Sequence, residues 1–90
     1  MLFEYDINKS VSNKQKHGLD FESIKALWED TSLVELDVDF EGEARCVAIG
    51  TIHGKFWTAV ITYRGEAIRI ISARRSREKE VDIYVKKNRN

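Results

Sequence analysis

From Val34 to Glu41 apolar and acidic residues alternate without a break: Val34, Leu36, Val38 and Phe40 against Glu35, Asp37, Asp39 and Glu41. A period of two puts one set on each side of a strand, so this stretch reads as a half-buried strand with an acidic outer face. Three more strand-like runs follow, Arg45 to Ile52, Lys55 to Tyr63 and Glu66 to Arg74. Gly42 lies in the first turn, and His53-Gly54 and Arg64-Gly65 read as two-residue turns between the others. Connections this short join only antiparallel neighbours, so the second half of the chain is committed to a meander.

The first half is helical. Asp6 or Asn8 can cap a helix running to about His17, and Gly18 follows as its C′ residue. Asp20 is a second N-cap, with Leu19 and Ile24 at hydrophobic-staple spacing and Phe21, Ile24, Leu27 and Trp28 forming an apolar face. Phe3 to Tyr5 reads as a short edge strand. At the far end Ser76 can cap a last helix with a narrow stripe of Val81, Tyr84 and Val85. The expected fold class is therefore α+β: a four-stranded antiparallel meander with a short N-terminal edge strand, packed by two N-terminal helices, with a C-terminal helix. The expected organisation is a single domain over residues 1–90.

With two-residue turns, Arg45 lies opposite Thr62 and Val60 opposite Arg69. Arg45, Val47, Val60, Thr62, Arg69 and Ile71 then share an open face. Cys46, Ala48, Trp57, Ala59, Ile61, Ile68 and Ile70 share the face that helices cover. Turning Leu36 and Val38 onto that covered face requires an odd number of loop residues at Gly42, because a one-residue slip flips every side chain. Arg74, five residues past Arg69, falls on the opposite face of an unbulged strand, whereas Arg75 has the parity of Arg69.

Charge is neutral in total, with 15 basic and 15 acidic residues, but it is divided. Seven acids and no Lys or Arg lie between Glu29 and Glu43; seven bases and three acids lie between Arg74 and Asn90. Such a division suits solubility, a protein partner or nucleic acid. Cys46 is the one cysteine and reads as a small buried residue. No window approaches the ~20 apolar residues of a membrane helix, and MLFEYDINK lacks the pattern of a signal peptide, so a cytoplasmic protein is expected.

Two blocks carry a family resemblance. F-E-Y-D-I-N-K followed by N-K-Q-K-H-G-L-D-F-E resembles the opening of the BrnT toxins. I-R-I-I-S-A-R-R-S-R-E-K-E, with Tyr84 beyond it, is similar to their strand-to-helix signature. Between the blocks, Glu43, Arg45 and Gly50 match an E-x-R and a following glycine. The resemblance spans Phe3 to Tyr84 and implies a compact fold related to RelE-type ribonuclease toxins. It further implies metal-independent RNA cleavage that inhibits translation and a BrnA-type antitoxin with a ribbon–helix–helix part. The two proteins would form a hetero-oligomer that represses its own operon, with DNA touched only through the antitoxin and with neither cofactor nor membrane involved. The matched positions are Lys16, His17, Arg45, Arg69, Ser72, Arg74, Glu80 and Tyr84. Glu78, Val81, Asp82 and Ile83 stand where the family is often basic, and Tyr5 replaces a commoner Trp.

Metal-independent cleavage makes the RNA's 2′-OH attack the adjacent phosphorus. It needs a base, an acid and fixed cations around the developing charge. Arginine suits the last role, because its planar fork grips two phosphate oxygens and stays charged. Arg45, Arg69 and Arg74 are the candidates; the plain alternatives are a cross-strand pair of Arg45 with Glu41 or Asp39, an inward ion pair for Arg69, and a terminus clamp for Arg74. His17 and Glu80 are the acid–base candidates, against a helix-dipole partner and an i,i+3 pair with Arg77. Lys16, Arg75, Arg77 and Lys79 are candidate phosphate contacts. The end of the last strand and the N-terminus of the last helix are expected to form a phosphate-binding corner. A relative that binds antitoxin or RNA without cleaving is the second reading. No zinc spacing, phosphate-binding glycine loop or nucleophile elbow occurs.

Overall fold

The computed structural model describes residues 1–89. Its elements are β1 (Leu2–Glu4), α1 (Ile7–His17), α2 (Phe21–Ile24), which continues as a 3-10 turn (Lys25–Glu29), β2 (Val34–Phe40), β3 (Glu43–Ile52), β4 (Lys55–Arg64), β5 (Ala67–Arg75) and α3 (Glu78–Lys87). The strands form one five-stranded sheet in the order β1-β5-β4-β3-β2. The last four are the expected antiparallel meander. The N-terminal strand pairs parallel to β5, Leu2 with Ala67 through Glu4 with Arg69, which makes the sheet mixed.

The caps follow from local chemistry. Asp6 accepts from the backbone N–H groups of Asn8 and Lys9, and Gly18 ends α1 in the left-handed region at φ 96°. Asp20 caps α2 through the Ser23 N–H. Phe21, Ile24 and Leu27 are fully buried against Ala48, Ala59, Ile61, Ile68, Ile70 and Ala73 on the covered face of the sheet. The helix α1 has almost nothing apolar to bury, and polar side chains hold it in place. Ser10 Oγ accepts from Phe21 N–H, and Asn13 bridges the Leu19 carbonyl and the Ala73 N–H. Because β1 stops at Glu4, Asn13 supplies the partner that Ala73 lacks on the open edge of β5.

Three expectations about register are corrected. The turn before β3 is Glu41-Gly42, an even loop, with Phe40 paired to Glu43. Both residues have positive φ, 52° and 81°, which matches the twist a two-residue hairpin needs. Leu36 therefore pairs with Val47 and Val38 with Arg45, on the face away from α1 and α2. The acidic row shares the other face, where Asp37 pairs with Cys46. The row tolerates this because β2 lies at the sheet margin and Glu35, Asp37 and Asp39 remain exposed. Cys46 is half-buried and donates from its Sγ to Asp37, so it is not a purely apolar core residue.

The turn before β5 is Gly65-Glu66, not Arg64-Gly65, since Arg64 pairs with Ala67. Thr62, rather than Val60, thus faces Arg69. Farther along the ladder shifts: Ile61 pairs with Ile70, but Val60 pairs with Ser72, leaving Ile71 as the extra residue of a bulge. Thr58 then pairs with Arg74, so Arg69, Ser72 and Arg74 share a face and Arg75 moves to the other beside Trp57. This reverses the parity expected of an unbulged strand at Arg74 and Arg75.

The last helix crosses to the face opposite α1. Its N-cap is Arg77 instead of Ser76, whose hydroxyl bonds Thr58 Oγ1 at 2.8 Å. The Tyr84 ring packs edge-on against Phe56 at 5.1 Å, and its hydroxyl donates to Asp30. Burial opposes charge on Asp30, but N–H donors from Ser32 and Thr51 and the Tyr84 and Thr51 hydroxyls outweigh it and hold the carboxyl below its ordinary range. Val34, Ile49 and Thr58 are buried on that face beside α3, and the part of it around Val38, Arg45 and Thr62 stays open.

Candidate nucleic-acid interface

Three recesses meet on the open face at Ile71, the bulge residue. One, of about 390 Å³, is lined by Lys9, Arg45, Thr62 and Arg69. A second lies against α1, between Lys9, Lys16, His17 and Ser72. The third is apolar, formed by Val38, Phe40, Val47 and Val60 beside Arg45. The bulge makes this junction. It adds Ser72 to the face that Arg69 and Ile71 already share with Arg45.

Arg45 and Arg69 flank β4 from the strands on either side, so cations from β3 and β5 converge above Thr62. Each has an acidic neighbour. Arg45 Nη2 is 2.5 Å from Glu43 Oε2, two residues away on the same strand, and not paired to Glu41 or Asp39. Arg69 Nη1 is 3.8 Å from Glu4 Oε2. Both pairs are partly exposed, and such pairs contribute only ~0–1 kcal/mol, so a phosphate can displace the carboxylates at small cost.

His17 and Lys16 reach the groove from the last turn of α1. Of the two histidines, His17 lines the groove; His53 sits in the β3–β4 turn with φ 50°. Lys9, which the sequence reasoning passed over, lines two of the three recesses. Its signal was present. Lys9, Ser12, Asn13, Lys16 and His17 recur at helical spacing and form one polar stripe, the stripe that α1 turns toward β5.

Arg74 is drawn out of this groove by α3. Its Nη1 and Nη2 donate to the two oxygens of Glu80 at 2.7 and 2.8 Å, a bidentate pair. Thr58 Oγ1 and the Arg77 N–H also donate to Glu80. The guanidinium foremost, helped by these donors, holds the Glu80 carboxyl at about 2 against the desolvation that opposes it. The corner between β5 and the α3 N-terminus is therefore an anion site, and the anion in it is Glu80 itself. Among the described residues Glu80 makes its ion pair with Arg74 and none with the Arg77 side chain, whose backbone N–H alone it engages. Arg75 lies over the Trp57 ring at 5.8 Å and donates to the Phe56 carbonyl, on the far face. Arg77 and Lys79 are exposed at the start of α3. The structure thus brings together Arg45, Arg69, Lys16, His17 and Ser72, and separates them from Arg74 and Glu80, and from Arg75, Arg77 and Lys79.

An open groove ringed by two arginines, two lysines and an imidazole suits a phosphodiester. No curated protein matches the chain. A family model described as the ribonuclease toxin, BrnT, of type II toxin–antitoxin systems matches residues 5–80, which take in α1, β2 to β5 and every residue of the groove. On that match, the chain belongs to the BrnT family of ribonuclease toxins.

Proposed function

We propose that this chain is an endoribonuclease that cleaves RNA without a metal, using the groove around Ile71. The observation that carries the reading is the junction at Ile71, where the recess lined by Arg45, Arg69 and Lys9 meets the recess lined by Lys9, Lys16 and His17. Arg45 and Arg69 hold the non-bridging oxygens of the scissile phosphate. His17 accepts the proton of the 2′-OH as its oxygen bonds to phosphorus. The bond to the 5′-oxygen breaks, that oxygen takes a proton from water, and a 2′,3′-cyclic phosphate remains. Positioned proton transfer is worth ~10²–10⁴-fold and fixed cations a similar factor. Arg74 and Glu80 act as a clamp that docks α3.

The wider reading follows from the family. The chain would act as one toxin domain of RelE-like kinship in the cytoplasm, stopping translation until a BrnA-type ribbon–helix–helix antitoxin neutralises it. DNA would be reached only through that antitoxin, in a complex that represses its operon.

One observation favours a second reading, a module that binds without cleaving: Glu43 and Glu4 already stand beside Arg45 and Arg69. Purified protein incubated with RNA in EDTA, with both new ends mapped, separates the two. Cyclic phosphate ends that disappear in Arg69→Ala and His17→Ala support the nuclease. Intact RNA from well-folded protein establishes the binding module.

A further inference from the structure

Among the described residues the strand β2 is a free edge of the sheet whose backbone pairs only with β3, while its Glu35 accepts from the Tyr63 hydroxyl of β4. Its seven residues pair in unbroken register, without a bulge, and include no Pro, Lys or Arg. It thus lacks the bulge, proline and basic side chains that often keep an edge from pairing, and the protection it keeps is its row of acids, which repels an acidic strand and admits a basic one. Its apolar side chains are uncovered at the outer end: Val38 is 38% exposed and Phe40 62%. The other face carries Glu35, Asp37 and Asp39, and among the described residues none of the three has an ion-pair partner.

This combination selects its occupant. Two copies of β2 side by side would set acidic row against acidic row, which is repulsive across a strand pair. The complementary strand carries apolar residues at every second position and Lys or Arg between them. We infer that β2 is a docking edge for such a strand from a partner protein. Its apolar residues extend the face of Leu36, Val38 and Phe40, and its cations lie opposite Glu35, Asp37 and Asp39. Val38 pairs with Arg45, so a strand docked on β2 sits two strand spacings from Arg45, roughly 10 Å. A partner held there occupies the rim of the groove. The edge is independent of catalysis and holds whether or not the chain cuts RNA.

The probe is a synthetic hairpin peptide with one strand of alternating Val and Lys, beside a twin with Glu for Lys. Titration into ¹⁵N-labelled protein, followed by amide exchange, gives the test. The lysine peptide should shift and protect β2 amides, bind at least tenfold tighter than its twin, and weaken as salt rises. Glu35→Lys, Asp37→Lys and Asp39→Lys together should reverse the preference. Should that variant misfold, Asp39→Lys alone, at a side chain without a hydrogen-bond partner among the described residues, should weaken the lysine peptide several-fold. Equal binding of both peptides, shifts confined to the groove, or no binding at millimolar peptide overturns the inference. RNA cleavage measured on the same samples reports separately on the nuclease reading.

Discussion

Arg69 and Arg74 stand on the same face of β5 although they are an odd five positions apart, because Ile71 is inserted as a bulge between the pairs Thr62–Arg69 and Thr58–Arg74. They nonetheless face different company. Arg69 looks onto the open groove, while both ends of the Arg74 guanidinium are taken by Glu80. Two arginines of one signature segment thereby divide: one stays open to the groove and the other is closed into a helix clamp.

Arg69→Ala should abolish detectable cleavage, a loss of at least ~10²-fold, if the phosphate is held as proposed. Its partly exposed pair with Glu4 is loose, so unfolding free energy should change by less than ~1 kcal/mol. Single-turnover cleavage alongside a urea melt checks both halves. Arg74→Ala should show the opposite balance, a large loss of stability.

The clamp should make stability depend on acid. Glu80 has its carboxyl lowered to about 2 from an ordinary 4.5. A depressed carboxyl contributes stability that is present above the unfolded value and lost as pH falls from about 4.5 toward 2. The difference corresponds to about 3 kcal/mol at most. Urea unfolding of wild type and Glu80→Gln should therefore differ by a few kcal/mol at pH 7 and converge by pH 2. A constant gap across that range would contradict the assignment.

Asn13→Ala should cost ~2–3 kcal/mol, since it strands the Ala73 N–H and the Leu19 carbonyl, each now bonded by Asn13. It should also lower cleavage, because α1 carries Lys9, Lys16 and His17 to the groove. Amide exchange at Ala73 should quicken in the variant, and an unchanged rate there would argue against the bridge.

Gly50 lies where α2 and its 3-10 turn press on β3. A Cβ there would come within 2.9 Å of Leu33 Cδ1, 3.1 Å of Leu27 Cδ2 and 3.2 Å of Asp30 Oδ2. Gly50→Ala should destabilise by ~1–3 kcal/mol through overpacking and loosening of the Asp30 hydrogen bonds. Thermal melts of the folded variant read this directly, with cleavage per folded molecule little changed.

Local patterns in the sequence were enough for the element order, the caps at Asp6, Gly18 and Asp20, the covered face from Cys46 to Ile70, and the convergence of Arg45 with Arg69. Each of these depends on a period of two or 3.6, or on a cap that a single side chain makes with its own neighbours. Register was different. Whether Glu41-Gly42 closes as two residues or three, and whether the last hairpin turns at Arg64-Gly65 or Gly65-Glu66, is decided by pairing energy summed along whole strands. The bulge at Ile71 is decided the same way: it lets Ile68 and Ile70 bury on one side of the step and Ala73 on the other, while Asn13 of α1 holds the Ala73 N–H. The place of Glu80 in the anion corner required α3 to fold onto the sheet. The sequence by itself thus determined the strands and helices that carry Arg45, Arg69, Lys16 and His17; only tertiary packing decided that these meet Lys9 at the groove while Arg74 is held in the clamp.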